Sequence, residues 1–362
     1  MTTTRTAYAT ILTLLTLPLA PAALAQEGMD MGPPKPGAEH KQLARFVGTW
    51  DIEVKNHDVP GGEPMTMKGV DESKLCCNGL WLVSKVTGVG MPFSGMAFTG
   101  YDTASEQYVG IWVDSMTSAP ARSKGTFDAK TSSFHLTGEM STPEGLAATR
   151  SECTFPDADT RKETVWTIGD DGKEKLSMEL TYKRQKAGGR AAPAAAPKIE
   201  PAIAGSQSPT HSMHKHLAAY AGTWDATMKM TMPGMPPFDS KMKQVDTLVC
   251  GDLWVHTVVN SGDFMGAPFE GQGLMGYDVD SGEYVNFWFD TMTTTYTETR
   301  GEASEDGSEF TLKGTNVTPA GPTRSTDVTR FHGKDKRTMT MSWTMEDGTD
   351  AGSMTIEYTR SK

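Results

Sequence analysis

His40-Lys41-Gln42-Leu43-Ala44-Arg45-Phe46-Val47-Gly48-Thr49-Trp50-Asp51 returns later in the chain as His214-Lys215-His216-Leu217-Ala218-Ala219-Tyr220-Ala221-Gly222-Thr223-Trp224-Asp225. Both versions follow the same plan. Leu43, Phe46 and Val47 lie at i, i+3 and i+4 before Gly48, which predicts one or two turns of helix with a glycine stop. Leu217, Tyr220 and Ala221 repeat this before Gly222. From each tryptophan onward the hydrophobic period changes to two, the period of a β-strand. In the first copy residues 50–57, 65–74, 80–86, 96–101, 108–116, 122–128, 133–140, 148–155, 161–168 and 176–184 read as strands. Turn residues such as Pro60-Gly61-Gly62 and Asp170-Asp171-Gly172 separate them. About ten short strands with short turns favour antiparallel neighbours, and a sheet of that size tends to curl and close. The expected fold is all-β: two tandem antiparallel up-and-down barrels of about ten strands, each preceded by a short helix.

The repeat extends beyond its opening block. Gly100-Tyr101-Asp102 recurs as Gly276-Tyr277-Asp278, and Tyr108, Trp112, Asp114 and Met116 recur as Tyr284, Trp288, Asp290 and Met292. Trp166 matches Trp343, and Tyr182 with Arg184 matches Tyr358 with Arg360. A unit of this length is a complete domain rather than a solenoid repeat. The expected domains are residues 39–186 and 211–362. Between them lies an Ala/Pro/Gly linker, 187–210, carrying Gly188, Gly189, Pro193, Pro197 and Pro201. Residues 26–38, with Pro33, Pro34 and Pro36, form a disordered lead-in by the same reasoning.

A short helix, Gly-x-Trp opening the first strand of a meander and an Arg on the last strand resemble the calycin, or lipocalin-like, barrel. That resemblance implies that Trp50 and Trp224 plug the barrels, with Arg184 and Arg360 against them, a favourable cation–π arrangement. More closely, Gly-Thr-Trp-Asp, Gly-Tyr-Asp and Tyr-Val-x-x-Trp-x-Asp resemble the bacterial family called domain of unknown function 1579. The family has no agreed activity, so the resemblance implies a fold and no catalytic residues.

The chain has 362 residues, 37% of them hydrophobic and 37 of them glycine, an ordinary globular composition. Its net charge is −11, and an acidic chain without a basic run is a poor partner for nucleic acid or an anionic membrane. No apolar stretch reaches the roughly 20 residues of a membrane span. Residues 1–25 read as a secretory signal: Arg5, an apolar segment from Ile11 to Ala20, then Ala23-Leu24-Ala25 before Gln26. The mature chain is expected to be exported, periplasmic or extracellular.

Cys76 and Cys153 are peculiar to the first copy, whereas Cys77 aligns with Cys250. An exported protein can keep a disulfide. The expected bridge is Cys76–Cys153, with Cys77–Cys153 as its rival.

Alternation places Tyr108, Trp112 and Asp114 on one face of a strand, and Tyr284, Trp288 and Asp290 on the matching face of the other copy. The opposite faces are plainly apolar. A barrel of ten strands can leave room inside, and an aromatic wall with a polar hook suits a small ligand. These six residues are therefore candidate ligand-binding residues. The structural alternative has the carboxylates capping a turn while the apolar face fills the core. Alternation by itself does not say which face points inward.

Methionine is abundant, at 23 residues. Met228, Met230 and Met232 alternate on one strand just after His211, Met213, His214 and His216. Thioether and imidazole groups suit copper, whereas Met also fills irregular interiors. No Gly-x-Ser-x-Gly, P-loop or His-Glu-x-x-His motif occurs, so no enzyme and no cofactor are expected. The function expected is non-enzymatic binding of a small apolar or amphipathic molecule in one or both barrels. The alternatives are a structural module with filled barrels and a copper-handling protein.

Overall fold

Period-two alternation becomes strand after strand. In the computed structural model, which describes residues 32–59, 62–142, 145–186, 210–318 and 321–362, the first copy forms ten antiparallel strands. These are β1 (Gly48–Asn56), β2 (Met65–Cys76), β3 (Trp81–Val89), β4 (Ser94–Asp102), β5 (Gln107–Asp114), β6 (Ala121–Asp128), β7 (Ser133–Thr142), β8 (Gly145–Asp157), β9 (Thr160–Ile168) and β10 (Glu174–Arg184). Each pairs with the next, and β10 pairs back onto β1, so the sheet closes. The second copy repeats this with β11 (Gly222–Thr231), β12 (Phe238–Val249), β13 (Trp254–Phe264), β14 (Ala267–Asp278), β15 (Glu283–Asp290), β16 (Thr297–Ala303), β17 (Glu309–Thr318), β18 (Gly321–Phe331), β19 (Lys336–Met345) and β20 (Asp350–Arg360). Helix α1 (Ala38–Gln42), continued by a 310 turn at Leu43–Arg45, precedes β1, and a 310 helix at Ser212–Ala219 precedes β11. Among the described residues no helix is long and apolar enough to cross a membrane. The signal segment, residues 1–25, and the bulk of the linker lie outside the described residues.

The Gly-x-Trp element closes one end of each barrel. Trp50 and Trp224 are fully buried, and their indole N–H groups donate to the carbonyls of Phe46 (2.7 Å) and Tyr220 (2.8 Å). Arg184 lies 3.9 Å over the Trp50 ring and Arg360 4.2 Å over that of Trp224. Gly48 has φ +132°, and a Cβ there would stand 2.6 Å from Nη1 of Arg184. Only glycine permits both that conformation and the approach of the guanidinium.

The barrels pack on one another through β3–β5 and β13–β15. Trp81, Phe98, Ile111 and Val113 share one apolar cluster with Trp254, Val285, Phe287 and Phe289. Phe98 stacks on Phe289 with ring centroids 4.3 Å apart. The seam is nearly symmetric. The Cys77 thiol donates to the carbonyl of Phe289 (3.8 Å), and the Cys250 thiol to that of Val113 (3.7 Å). Such self-complementary pairing is the pattern of an isologous interface. Arg122 clamps Glu298 across the seam at 2.7 and 3.0 Å.

The expected Cys76–Cys153 disulfide is not formed, nor is Cys77–Cys153; all four cysteines are free and buried. Cys76 belongs to the seam cluster on the outside of the first barrel. Cys153 packs inside it with Leu43, Tyr108 and Phe134. Sheet register places Cys153 opposite Phe134 as it places Thr329 opposite Phe310, so Thr329 is its counterpart.

Candidate functional site in the barrel lumens

Directly opposed residues on neighbouring strands share a face of the sheet. Register therefore carries the inner face from the plug to β5, through Trp50, Asp71, Val86, Gly95 and Asp114. In the second barrel the same path runs Trp224, Gln244, Val259, Gly271 and Asp290. The Tyr108/Trp112/Asp114 and Tyr284/Trp288/Asp290 faces thus look into the lumens. The more apolar faces, Ile111 and Val113 or Phe287 and Phe289, look outward and are sealed in the seam.

Of the six candidate residues, the structure brings each Trp–Asp pair together and sets the tyrosines apart. The Trp112 indole N–H donates to Asp114 Oδ2 at 2.8 Å, and Trp288 to Asp290 Oδ2 at 2.9 Å. The other oxygen of each carboxylate accepts two backbone N–H groups, Met116 (2.7 Å) and Thr117 (3.0 Å), or Met292 (2.8 Å) and Thr293 (3.1 Å). Burial pushes both carboxyls above the ordinary Asp range, against these bonds. The carboxylates therefore fix the indole and the turn after the strand. Tyr108 and Tyr284 sit about 13 Å further down their strands, four residues at about 3.3 Å each. Their hydroxyls donate to the carbonyls of Glu39 (2.8 Å) and Met213 (2.7 Å), tying the leading helices over the closed end.

Both indoles lie flat on the inner wall. A Cβ on Gly95 would stand 2.5 Å from the Trp112 ring, and Gly271 meets Trp288 in the same way. In the first barrel Phe93 stacks near Trp112, with centroids 6.4 Å apart.

The two lumens differ. In the first, the inward residues near the plug, such as Ile52, Tyr108, Phe134 and Tyr182, are buried, whereas Val54, Val86, Trp112, Leu136, Val165 and Leu180 are half-buried. In the second, Met228 replaces Val54, Met242 replaces Gly69, Met341 replaces Val165 and Asn286 replaces Gly110, judged by register. Met228, Met242, Val259, Phe264, Phe269 and Ile356 are buried in one continuous cluster there. Larger side chains fill the same cylinder, and Met adapts its shape to do so.

Beneath each lumen lies a buried ion pair that sequence reasoning missed. Arg161 on β9 holds Asp71 at 2.8 Å, and Arg337 on β19 holds Asp246 at 2.7 Å. Arg161 lies 5.5 Å from the Trp50 ring, so the indole stands between two guanidiniums, as Trp224 does with Arg337 at 4.5 Å. The arginines were visible as the first inward residue of each ninth strand. The acids were not, because Asp71 stands opposite Trp50 while Asp246 stands opposite Gly222, two residues along the same face.

The histidine–methionine set does not assemble. His211 caps the 310 helix, accepting the Met213 N–H at 3.3 Å, and His216 meets the Tyr284 hydroxyl at 3.2 Å, both at the closed end. His214 is buried beside them, and burial lowers its pKa. Met228 and Met230 face the lumen from further along β11, and Met232 lies beyond that strand's end. Strand geometry separates Met230 from Gly222 by roughly 25 Å. Among the described residues the one group of close metal-type donors is Cys76, Cys77 and Glu270, within 4.8 Å of one another. Glu270 already accepts the Cys77 N–H (2.8 Å) and the Gln272 amide (2.8 Å), and the Cys76 contact and burial push the Cys77 thiol upward. That trio is a seam contact. A cleft of about 490 Å³ beside the seam is lined by Asp102, Tyr296, Glu298 and Arg300, with Arg300 paired to Glu298 at 2.7 Å.

The family model described as Protein of unknown function (DUF1579) matches residues 35–184 and again 209–360. The chain belongs to this family, in two copies. No curated protein matches it. Among solved structures, this DUF1579 chain is similar to a protein of unknown function from the DUF3598 family of Nostoc punctiforme, at 8% identity over 90% of this chain and 100% of that one, TM-score 0.24. It is also similar to the S-type phycobiliprotein lyase of Guillardia theta, at 11% identity over 42% of this chain and 94% of that one, TM-score 0.31. A double mutant of transferrin binding protein B from Haemophilus parasuis matches at 7% identity over 86% of this chain and 75% of that one, TM-score 0.19. Likenesses this distant carry no function to the DUF1579 chain.

Proposed function

We propose that this is an exported, non-catalytic binding protein that holds a small apolar or amphipathic molecule in the lumen of its first barrel, with the second barrel as a filled support. One observation carries this reading. β5 and β15 are both sealed on their outer faces and half-open on their inner faces at Trp112 and Trp288, but where the first barrel has the half-buried Val54 and a glycine, Gly69, facing inward the second has the buried Met228 and Met242. Apolar side chains that stay accessible inside a closed sheet mark space for a guest. Export rests on the order of charge, apolar segment and small residues within residues 1–25.

The test is native mass spectrometry of the mature full chain for a co-purifying small molecule, followed by titration with the neutral dye phenylnaphthylamine. One bound dye is expected. Trp112→Ala should weaken it by about tenfold, roughly 1.4 kcal/mol of aromatic contact. Trp288→Ala should leave dye affinity unchanged. A chain that takes up no dye, or one in which only the Trp288 change matters, overturns the reading and leaves a structural module.

A further inference from the structure

The open lumen carries one acid that the barrel does not need. Glu163 projects inward from β9, two residues above Arg161, and is half-buried. Its contact with the Tyr182 hydroxyl is long, 3.4 Å. The second barrel has Met339 at this register position, opposite Ile356 and Thr329 as Glu163 is opposite Leu180 and Cys153. There the Arg337–Asp246 pair and the guanidinium over Trp224 are formed without any such acid. The plug therefore does not require Glu163.

Its surroundings compensate its charge only in part: burial pushes its carboxyl above the ordinary Glu range, and the Arg161 guanidinium and Tyr182 hydroxyl pull against that. Arg161 faces it but is committed to Asp71 at 2.8 Å and stacked 3.5 Å over the Tyr182 ring. The remaining titratable groups on its side are the Asp71 carboxylate, the Cys153 thiol and the Tyr182 hydroxyl, none of which brings a cation. A carboxylate in an apolar chamber is costly unless something donates to it. A positively charged donor does so best, because charge-assisted hydrogen bonds are about twice as strong as neutral ones.

We propose that Glu163 anchors the ligand of the first barrel, and that this ligand is an amphipathic amine. Its ammonium group sits at Glu163, and its apolar body runs past Leu136, Val165 and Leu180 to Trp112 at the mouth. This deepens the lumen reading above and rests on it.

The full mature chain loaded with phenylnaphthylamine is titrated with decylamine, decanol and decanoate, each below its micellar range. Decylamine should displace the dye at least about tenfold more tightly than decanol, with decanoate weakest. Glu163→Gln and Glu163→Met, the latter being the second barrel's own residue, should bring decylamine and decanol to parity while dye affinity persists. Equal displacement by all three in the unsubstituted chain, or a preference for the amine that survives Glu163→Gln, overturns the assignment of Glu163 and leaves the lumen reading intact. If the dye binds but no probe displaces it, this inference alone falls; if the dye never binds, the lumen reading falls and this inference with it.

Discussion

Each plug is built from one indole, two guanidiniums and one buried carboxylate. Removing either partner of the Arg161–Asp71 pair would strand a charge in the interior, a cost of about 3–5 kcal/mol. The second barrel holds an acid already in that condition. Asp327 on β18 faces inward at 5% exposure, and its Oδ1 has no hydrogen-bond partner among the described residues. Burial alone raises its pKa to about 7 from 3.8. A folded-state pKa above the unfolded value favours folding at low pH, and that contribution fades as pH rises through about 7. The loss amounts to about 4 kcal/mol. Asp327→Asn should therefore be more stable than the natural chain in urea at pH 8, and the gap should close toward pH 4. A gap of constant size at both pH values would mean that Asp327 is ionised throughout.

At the level of elements, β5 and β15 are the same strand in two settings. Both lay an indole flat against a glycine of the preceding strand and pin it with a carboxylate two residues on. A methyl group added at Gly95 or Gly271 collides with that ring and drives it toward the lumen. Both Gly95→Ala and Gly271→Ala should cost about 1–3 kcal/mol, the usual range for overpacking. Their effects on binding should diverge. Gly95→Ala narrows an open chamber and should weaken dye binding several-fold, while Gly271→Ala acts on a chamber already filled by methionine and should not. Denaturant melts and dye titrations of the two variants check both statements.

For the whole molecule, the seam decides the orientation of everything else. Phe289 stacks on Phe98 and meets Trp81 edge-on at 4.8 Å. Phe289→Ala should cost about 3–5 kcal/mol, as buried aromatic truncations do. Phe98→Ala should cost a similar amount, and the double variant should lose clearly less than the sum, since the rings share one contact. Full additivity in that cycle would show that the two barrels do not rely on this stack.

Much of this was legible in the chain. The duplication, the ten strands per copy and the short leading helix follow from local pattern, because alternation and glycine stops act over a few residues, while the pairing of Trp50 with Arg184 was implied by the resemblance to the calycin barrel. Membership of the six candidate residues in two matching faces was legible as well. Which face lies inside was not, since period two is the same seen from either side of a sheet. The usual rule sends the more apolar face inward; here the second barrel covers the outside of the first, so Ile111 and Val113 find their burial there and Trp112 is left to the lumen. The same holds for Cys76 and Cys153, matched as a pair by their absence from the second copy and placed on opposite sides of one wall. It holds too for Asp71 and Asp246, which reach equivalent arginines from positions two residues apart. Sequence alone determined what each strand carries, and only closure and docking of the two sheets determined what each side of a strand meets.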